Sequence, residues 1–572
     1  MRASVALPLI IIYRQRYRGL MPVINFKYSD LCSIIGQEIP METLTARIPM
    51  IGADIEHAEA GCDDMSVEFF PDRPDLYSVE GTARGLKAFL GLETGMKTYP
   101  VKESGMDVFI DESVSSVRPY FLCGIVKGVD IDDATLKSIM EMQEKLHTTI
   151  GRKRKKLAIG IHDLDKVKAP FTYKAVDPHS IRFVPLAKTE EMDLEEILTK
   201  HEKGRDYAHL VRDYEKYPII LDKDGNVLSF PPIINGSLTT VTTETRNLFV
   251  DVTGFDRKAV KGALDIICSA LAERGGSIES VTMHSGKDVF QSPDLTPAEY
   301  SISAEECNRQ LGTSLSSEDM VKALQRMGMD ASADGDKVNV TVPPYRLDIM
   351  HKVDIFEDVA IGYGFENFGG KYSVTQTHGG LEPVNSFSEN LRDVMVGLGF
   401  MEVMTLTLIN DRDEFQISRL PRIDNVRVLN PATEDVTCLR SYLTPSLVNI
   451  LRHNKHRDLP QRIFEIGNVV VDNLTRIHLC AMYTASRVSF TEIKSVTESA
   501  LREMGCEYEL RPTDIGTFVN GRGAEVLYKG KPIGMFGEIA IEVVTGYEIT
   551  HPVAFLELDL EPIIEDHRST MF

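Results

Sequence analysis

Cysteine is sparse in this chain, and its spacing is that of neither a zinc site nor a redox pair. The 572 residues include eight cysteines, with no CxxC pair and no cysteine–histidine grouping of the zinc-binding kind. A structural zinc site is therefore not expected. Scattered, reduced thiols are typical of the cytosol, so we expect a cytoplasmic protein.

Positive charge is also scarce. There are 63 lysines and arginines against 85 aspartates and glutamates, which gives a formal net charge of −22. Residues 1–20 carry four arginines as their only charges, so the formal net charge of the remaining residues is −22 − 4 = −26. A general polyanion-binding surface and DNA as a partner are therefore not expected. The dense basic run Arg152–Lys156 is typical of a solvated loop, and any nucleic-acid contact must come from such a local patch or from a partner chain.

Apolar runs long enough to cross a membrane are missing. The N-terminal run Val5–Tyr13 is too short, and its arginines follow it, whereas those of a signal peptide precede the apolar segment. No membrane association is expected. Met21 has the context of a true start, so residues 1–20 are predicted to be a spurious or disordered extension.

The length indicates several domains, about four at roughly 150 residues each. The patterns of apolar and turn residues predict an α+β multidomain fold. Its parts are an N-terminal α+β domain (21–100), a mixed α+β domain (117–291), a small helical domain with a wing-like strand pair (292–371) and an antiparallel sheet with flanking helices (372–572).

One predicted helix carries an unusual density of acids. It spans Ile349–Ile361 within YRLDIMHKVDIFEDVAIGYGFENF, and Gly362 and Gly364 are predicted to end it. Three acids fall on one face of the helix, and a fourth precedes it. These acids are Asp348, Asp354, Glu357 and Asp358. Oxygen ligands favour a hard ion such as Mg²⁺, but solvated acidic helix faces are common, and the pattern alone leaves both interpretations open.

This segment resembles the B5 domain of the β subunit of two-subunit phenylalanine–tRNA ligases, because it contains the pattern RxD followed by DxxED and then YGFEN. That resemblance implies that Asp348, Asp354, Glu357 and Asp358 hold a Mg²⁺ ion shared with the α subunit. The segment PDRPDLYSVEGTARGL, at 71–86, is similar to an N-terminal motif of the same family. Several long motifs in the family's order are more specific than any short one.

Two further segments resemble the archaeal and eukaryotic branch of this family. They read MQEKLHTTIGRKRKKLAIGIHDLD, at 142–165, and PPIINGSLTTVTTETRNLFVDVTG, at 231–254. The resemblance implies a B3/B4 domain that hydrolyses tRNA wrongly charged with tyrosine. Residues able to recognise the phenol or place a water are Asn235, Ser237, Thr243, Asp251 and Thr253. Each of them also fits a purely structural role, capping a turn or pairing across a sheet.

The last region resembles a class II synthetase domain without its catalytic motifs, because it contains no GxGxGxxR-type segment. This implies that the α subunit activates the amino acid and binds most of the ATP. The family implies an α2β2 tetramer that charges tRNA(Phe), with this chain as the β subunit. The alternative is a free-standing tRNA-binding or trans-editing module, for which a class II-like platform has no evident use.

Overall fold

The structure is a computed structural model that describes residues 22–59, 61–370, 372, 374 and 377–570. The chain divides into two compact units, Met1–Lys371 and Tyr372–Phe572. The extension predicted at residues 1–20 lies outside the described residues. Within the described part, no helix is both long and apolar enough to cross a bilayer.

The first unit begins with a small antiparallel sheet and three helices. The sheet order is Val23–Lys27, Asp64–Phe69 and Ala53–His57, and the helices are Tyr28–Ile35, Met41–Arg47 and Val79–Phe89. The last helix begins after Ser78, whose side chain accepts a hydrogen bond from the backbone N–H of Gly81. Its buried face packs into the core of the first unit.

A ten-stranded mixed sheet forms the centre of the first unit. Nine strands form one path, in the order Ile234–Asn235, Val227–Phe230, Tyr217–Leu221, Phe171–Val176, Val101–Ile110, Ser277–Ser285, Tyr120–Lys127, Asn247–Gly254 and Leu157–Asp163, and Asp288–Ser292 pairs with Ser277–Ser285. Its helices are Asp133–Thr148, Leu194–Lys200, Glu202–Tyr207 and Arg257–Glu273. Strand Val101–Ile110 belongs to this sheet although it lies before the predicted domain start at 117. It pairs in parallel with two strands from later in the chain.

The third part of the first unit combines helices with a small sheet. Its three helices, Ala304–Leu311, Ser317–Arg326 and Lys352–Tyr363, pack beside strands in the order Ala298–Ser303, Lys337–Val342 and Asp330–Asp334. The predicted wing-like pair is therefore a three-stranded sheet, because Ala298–Ser303 pairs along the whole of Lys337–Val342. Ser303 and Ser316 cap the first two helices.

The acid-bearing helix differs from its predicted bounds at both ends. It begins at Lys352 after His351, and it continues through Gly362 to Tyr363. Gly364, at φ 101°, ends it, so only the second of the two glycines is a terminator. Gly362 has a packing role: a Cβ there would lie 2.1 Å from the carbonyl oxygen of Ala323 on the neighbouring helix.

The second unit is a seven-stranded sheet flanked by helices. The strand order is Met401–Glu402, Gln461–Val471, Leu474–Thr484, Val553–Asp559, Lys531–Ile539, Phe518–Tyr528 and Tyr508–Pro512. All neighbours are antiparallel except the first pair. The larger helices are Pro383–Gly397, Thr444–His453, Phe490–Glu503 and Glu561–Thr570. Lys529 and Gly530, both at positive φ, form the hairpin turn between Phe518–Tyr528 and Lys531–Ile539.

Two buried carboxylates tie loops of the second unit to this sheet. Glu465 accepts a hydrogen bond from Arg440 Nη2 at 2.7 Å, and both side chains are almost fully buried. Glu557 accepts hydrogen bonds from the backbone N–H groups of Leu443 and Thr444 and from the His478 ring. These partners offset the cost of burying the two charges and fix the start of helix Thr444–His453 on the sheet.

Gly362→Ala tests the close helix contact. Alanine gains about 1 kcal/mol in helix propensity over glycine, but overpacking of this kind typically costs about 1–3 kcal/mol. Because the obstacle is a backbone carbonyl, we expect the free energy of unfolding to fall by about 2 kcal/mol. The measurement is hydrogen exchange, which should be faster in helix Lys352–Tyr363. Gly397→Ala is the control, because a Cβ there meets nothing within 4 Å. Unchanged exchange in the first variant would contradict the packing role.

Candidate functional site

A cavity of about 290 Å³ lies where the two edges of the central sheet face each other. One edge contributes residues 158–161, and the other contributes Ile234 and Asn235. The side-chain amide of Asn235 donates to the backbone oxygen of Ile161 at 3.5 Å, a long bond that joins the two edges. Exposed edges normally present unpaired backbone groups. Here the edges close upon each other, and the gap between them is the cavity.

Helix Asp133–Thr148 covers one of these edges with two polar side chains. The amide of Gln143 donates to the backbone oxygen of Ile159 at 2.7 Å, and the Ile159 N–H donates to His147 Nε2 at 2.8 Å. Burial lowers the pKa of His147 to about 4, so its ring is neutral at pH 7 and Nε2 is able to accept. Both backbone groups of Ile159 are thereby satisfied at an edge that has no neighbouring strand.

The carboxylate of Asp251 lines the cavity and is held from behind. His162 Nε2 lies 2.8 Å from Asp251 Oδ2, and His162 Nδ1 lies 2.7 Å from the Thr239 hydroxyl. All three side chains are buried. Asp251 is paired across the sheet with Gly160, where a Cβ would lie 2.0 Å from the same carboxylate oxygen. The glycine therefore makes room for the charge, and the histidine fixes its direction.

Arg154 closes part of the cavity wall. Its guanidinium donates to the backbone oxygen of Ile233 at 2.9 Å and to Glu144 Oε2 at 3.3 Å. It also lies over the ring of Tyr207, 4.5 Å from the centroid. These contacts join the loop after helix Asp133–Thr148 to the opposite side of the cavity.

Two of the five predicted editing residues line this cavity, Asn235 and Asp251. Ser237, Thr243 and Thr253 do not line it. Thr243 is exposed, and its backbone oxygen accepts from Arg246. The Thr253 hydroxyl accepts from the buried Arg118 guanidinium at 2.8 Å.

Sequence reasoning missed several polar side chains of this site. His162 and Thr239 support Asp251, and Glu144, His147 and Arg154 line the wall. The available signal was weak: Gly160 and His162 are two residues apart on one strand, and therefore point to the same face. Nothing local links that strand to Asp251, which lies about 90 residues later in the chain.

All four predicted metal ligands line a second cavity, of about 610 Å³. The guanidinium of Arg346 lies between two of them, with Nη2 2.6 Å from Asp348 Oδ2 and 2.6 Å from Asp358 Oδ2. Asp358 is 2% exposed. Burial raises its pKa to about 6, although Arg346 acts in the opposite direction. Asp358 therefore faces inward and not towards solvent, because Arg346 lies there and pairs with its carboxylate.

The other two acids have no side-chain cation beside them among the described residues. Asp354 accepts from the backbone N–H groups of Met350 and His351 at 2.8 and 2.7 Å, and Glu357 is exposed. The donor set consists of carboxylate oxygens, which suits a hard cation held by one or two carboxylates and water. Within the described ranges, only Asp54, Glu56 and Glu68 bring three carboxylate oxygens within 4.8 Å of one another. The four predicted ligands thus share a cavity without forming a closed cage.

Three family models match the chain in sequence order. They are the B3/4 domain at 121–281, the tRNA synthetase B5 domain at 300–365 and the phenylalanyl tRNA synthetase beta chain CLM domain at 371–560. The first match covers the whole lining of the first cavity, and the second covers the four acids of the second cavity. The matches confirm the predicted α+β multidomain organisation.

Similar proteins cover nearly the whole chain. The phenylalanine–tRNA ligase beta subunit of Methanosarcina acetivorans is 46% identical over 547 residues, covering 95% of this chain and 99% of that protein. The corresponding subunit of Archaeoglobus fulgidus is 44% identical over 548 residues, with the same coverage. Among solved structures, an N-terminal fragment of the phenylalanyl-tRNA synthetase beta subunit from Pyrococcus horikoshii is 40% identical. It covers 60% of this chain and 100% of the fragment, with a TM-score of 0.58.

These relatives exceed 40% identity across almost their full length, and the domain order is the one expected from the motifs. The resemblance found in the sequence is therefore confirmed, and the chain belongs to the family of phenylalanine–tRNA ligase β subunits.

Proposed function

We propose that this chain works in an α2β2 phenylalanine–tRNA ligase that joins L-phenylalanine to tRNA(Phe) with ATP. Amino-acid activation belongs to the α subunit, since residues 372–572 contain no GxGxGxxR-type segment. The four predicted domains divide the remaining work: 117–291 edits, 292–371 holds the metal, and 21–100 and 372–572 support the tRNA and the α subunit. The match of 371–560 to the β-chain CLM domain favours this assignment over a free-standing editing module.

Charging assays test the division of labour between the subunits. We expect no phenylalanyl-tRNA from this chain alone and full charging after the matching α subunit is added, because the activating site is assigned to α. The measurement is incorporation of labelled phenylalanine into tRNA(Phe). Charging by the isolated chain would contradict the proposed role of residues 372–572.

We also propose that the 290 Å³ cavity hydrolyses tRNA(Phe) wrongly esterified with tyrosine. An apolar pocket for phenylalanine cannot strongly reject an analogue that only adds a hydroxyl, so a second site that recognises the hydroxyl is useful. The observation that carries this proposal is the buried carboxylate of Asp251, held by His162 and facing the cavity. A phenylalanyl ester has no hydroxyl to donate to that carboxylate, so its binding is disfavoured relative to the tyrosyl ester.

Within this site we assign recognition of the phenol to Asp251. Its carboxylate accepts the hydrogen bond of the tyrosine hydroxyl, while His162, fixed by Thr239, keeps the acceptor oxygen in place. Asn235 at the opposite edge supplies a further amide beside the ester or its attacking water. Mostly apolar walls with few fixed polar groups are typical of small-molecule sites.

Asp251→Asn is the direct test of the editing proposal. We expect hydrolysis of tyrosyl-tRNA(Phe) by the tetramer to fall roughly 10- to 100-fold, because a hydrogen bond to a charged group contributes about 1.5–3 kcal/mol. Phenylalanine charging is measured on the same preparation and should be unchanged. Thr243→Ala, at an exposed position outside the cavity, is the control and should edit normally. Normal editing by the Asp251 variant would refute the assignment.

We propose that the second cavity holds a Mg²⁺ ion shared with the α subunit. Asp354 and Glu357 are its most accessible donors, whereas Asp348 and Asp358 lie behind them and share Arg346 as a counter-ion. A site that supplies only one or two free carboxylates leaves coordination positions for water and for a partner's groups. When bound, the ion would supply positive charge between these carboxylates and groups of the α subunit.

Neutralising the two accessible acids tests the metal site. In Asp354→Asn/Glu357→Gln we expect the Mg²⁺ content of the purified tetramer to fall by most of one ion per β subunit, and α to dissociate at lower salt. Elemental analysis and salt-dependent co-purification provide the measurements. Glu305→Gln/Glu318→Gln is the matched control, since both acids are exposed in the first turns of other helices of the same part. Wild-type metal content and association in the first variant would refute the proposal.

A further inference from the structure

The basic run Arg152–Lys156 forms a left-handed turn at the editing cavity. Arg152, Lys153 and Arg154 have φ values of 49°, 54° and 65°, a region that residues other than glycine rarely adopt. The turn is closed by backbone hydrogen bonds, from Arg154 N–H to the His147 oxygen at 3.2 Å and from Lys156 N–H to the Gly151 oxygen at 2.8 Å. At Gly151 a Cβ would lie 2.6 Å from the His147 oxygen. The turn is therefore fixed against the end of helix Asp133–Thr148.

The side chains of this turn divide into an inner and an outer group. Arg154 points inward, where it lines the cavity and bonds to its far wall. Arg152, Lys153 and Lys155 are exposed, and within the described residues none of them lies within 4 Å of a carboxylate. Their nearest basic neighbours along the chain behave differently, because Arg154 pairs with Glu144 and Lys156 pairs with Asp256. Three uncompensated positive charges thus stand beside the cavity wall.

A fourth exposed cation extends this positive edge. Lys203 lines the same cavity, and it too has no ion-pair partner among the described residues. In a chain with a formal charge of −22, such a local cluster is unusual. When such positive groups bind phosphates, the cations condensed on the nucleic acid are released. This favourable contribution does not depend on base sequence.

We infer that Arg152, Lys153 and Lys155 bind the phosphates of the single-stranded 3′ end of tRNA while its terminal aminoacyl ester enters the cavity. This inference rests on the proposed editing function, because that function places the ester in the cavity. The phosphates that precede the terminal nucleoside must then lie outside, beside the cavity wall. The turn offers these phosphates positive charges at a fixed position, because Arg154 and the backbone hydrogen bonds hold the turn beside the cavity.

The test uses the tetramer and two esters of tyrosine. One substrate is tyrosyl-tRNA(Phe), and the other is 3′-O-tyrosyladenosine, which carries the same ester on the same nucleoside but has no phosphate. The variant is Lys153→Gln/Lys155→Gln, which keeps side chains of similar shape without their charge. Lys102→Gln/Lys287→Gln is the matched control, because both lysines are exposed and lie away from the two facing edges. Lys102 is on strand Val101–Ile110, in the middle of the sheet, and Lys287 is in the turn before strand Asp288–Ser292.

For tyrosyl-tRNA we expect the double variant to raise KM about 10-fold at low salt with kcat unchanged, as phosphate contacts of this kind act uniformly on binding. The slope of log KM against log salt should fall by about 1.4, at about 0.7 per single-strand phosphate contact. Hydrolysis of 3′-O-tyrosyladenosine should stay at the wild-type rate, and the control variant should match wild type on both substrates.

Three outcomes overturn the inference. The first is an unchanged KM and salt slope for tyrosyl-tRNA. The second is an equal change in the control variant, which would indicate a general charge effect. The third is an equal loss on 3′-O-tyrosyladenosine, which would mean that the turn only supports the cavity. A wild-type tetramer that cleaves neither ester refutes the proposed editing function itself, and this inference with it.

Discussion

The first unit depends on one constraint, the need to satisfy two sheet edges that face each other. Backbone N–H and C=O groups at such edges must find partners or meet water. Asn235 bonds across the gap to Ile161, and Gln143 and His147 satisfy both groups of Ile159. Because a side chain makes the bond across the gap, the two edges do not pair backbone to backbone there. The space that remains is the candidate editing cavity.

Both candidate sites place carboxylates in poorly solvated positions, but the two sites compensate them differently. Asp251 lies beside a buried histidine that is itself bonded to a threonine hydroxyl, and this pair directs one of its oxygens. Asp348 and Asp358 share the guanidinium of Arg346, which neutralises part of their negative charge within the cavity. A directed carboxylate suits recognition of a hydroxyl group. A partly neutralised acidic cavity with two carboxylates left free suits a hard cation that keeps several of its waters.

Local features of the fold were predictable wherever the physical cause was local. Ser78, Ser303 and Ser316 each cap the helix that follows, and Gly530 forms a hairpin turn, both being roles that these residue types commonly take. Gly362 was misassigned as a helix terminator because a glycine required for a close helix crossing has the same signature in sequence as one that ends a helix. The distinction lies in Ala323, about 40 residues earlier in the chain. The third strand of the small sheet was missed for the same kind of reason, since its partner is remote in sequence.

The sequence by itself determined the family, because ordered motifs from residue 71 to the C-terminal region need no coordinates to be matched. It also determined which acids gather around helix Lys352–Tyr363, since helical spacing places them together. Only the tertiary structure decided which candidates meet. It placed Asp251 and Asn235 at one cavity and left Ser237, Thr243 and Thr253 outside it. It also brought the basic turn, predicted as a solvated loop, to the wall of that cavity through Arg154. Such groupings depend on contacts between residues far apart in the chain, which no local pattern records.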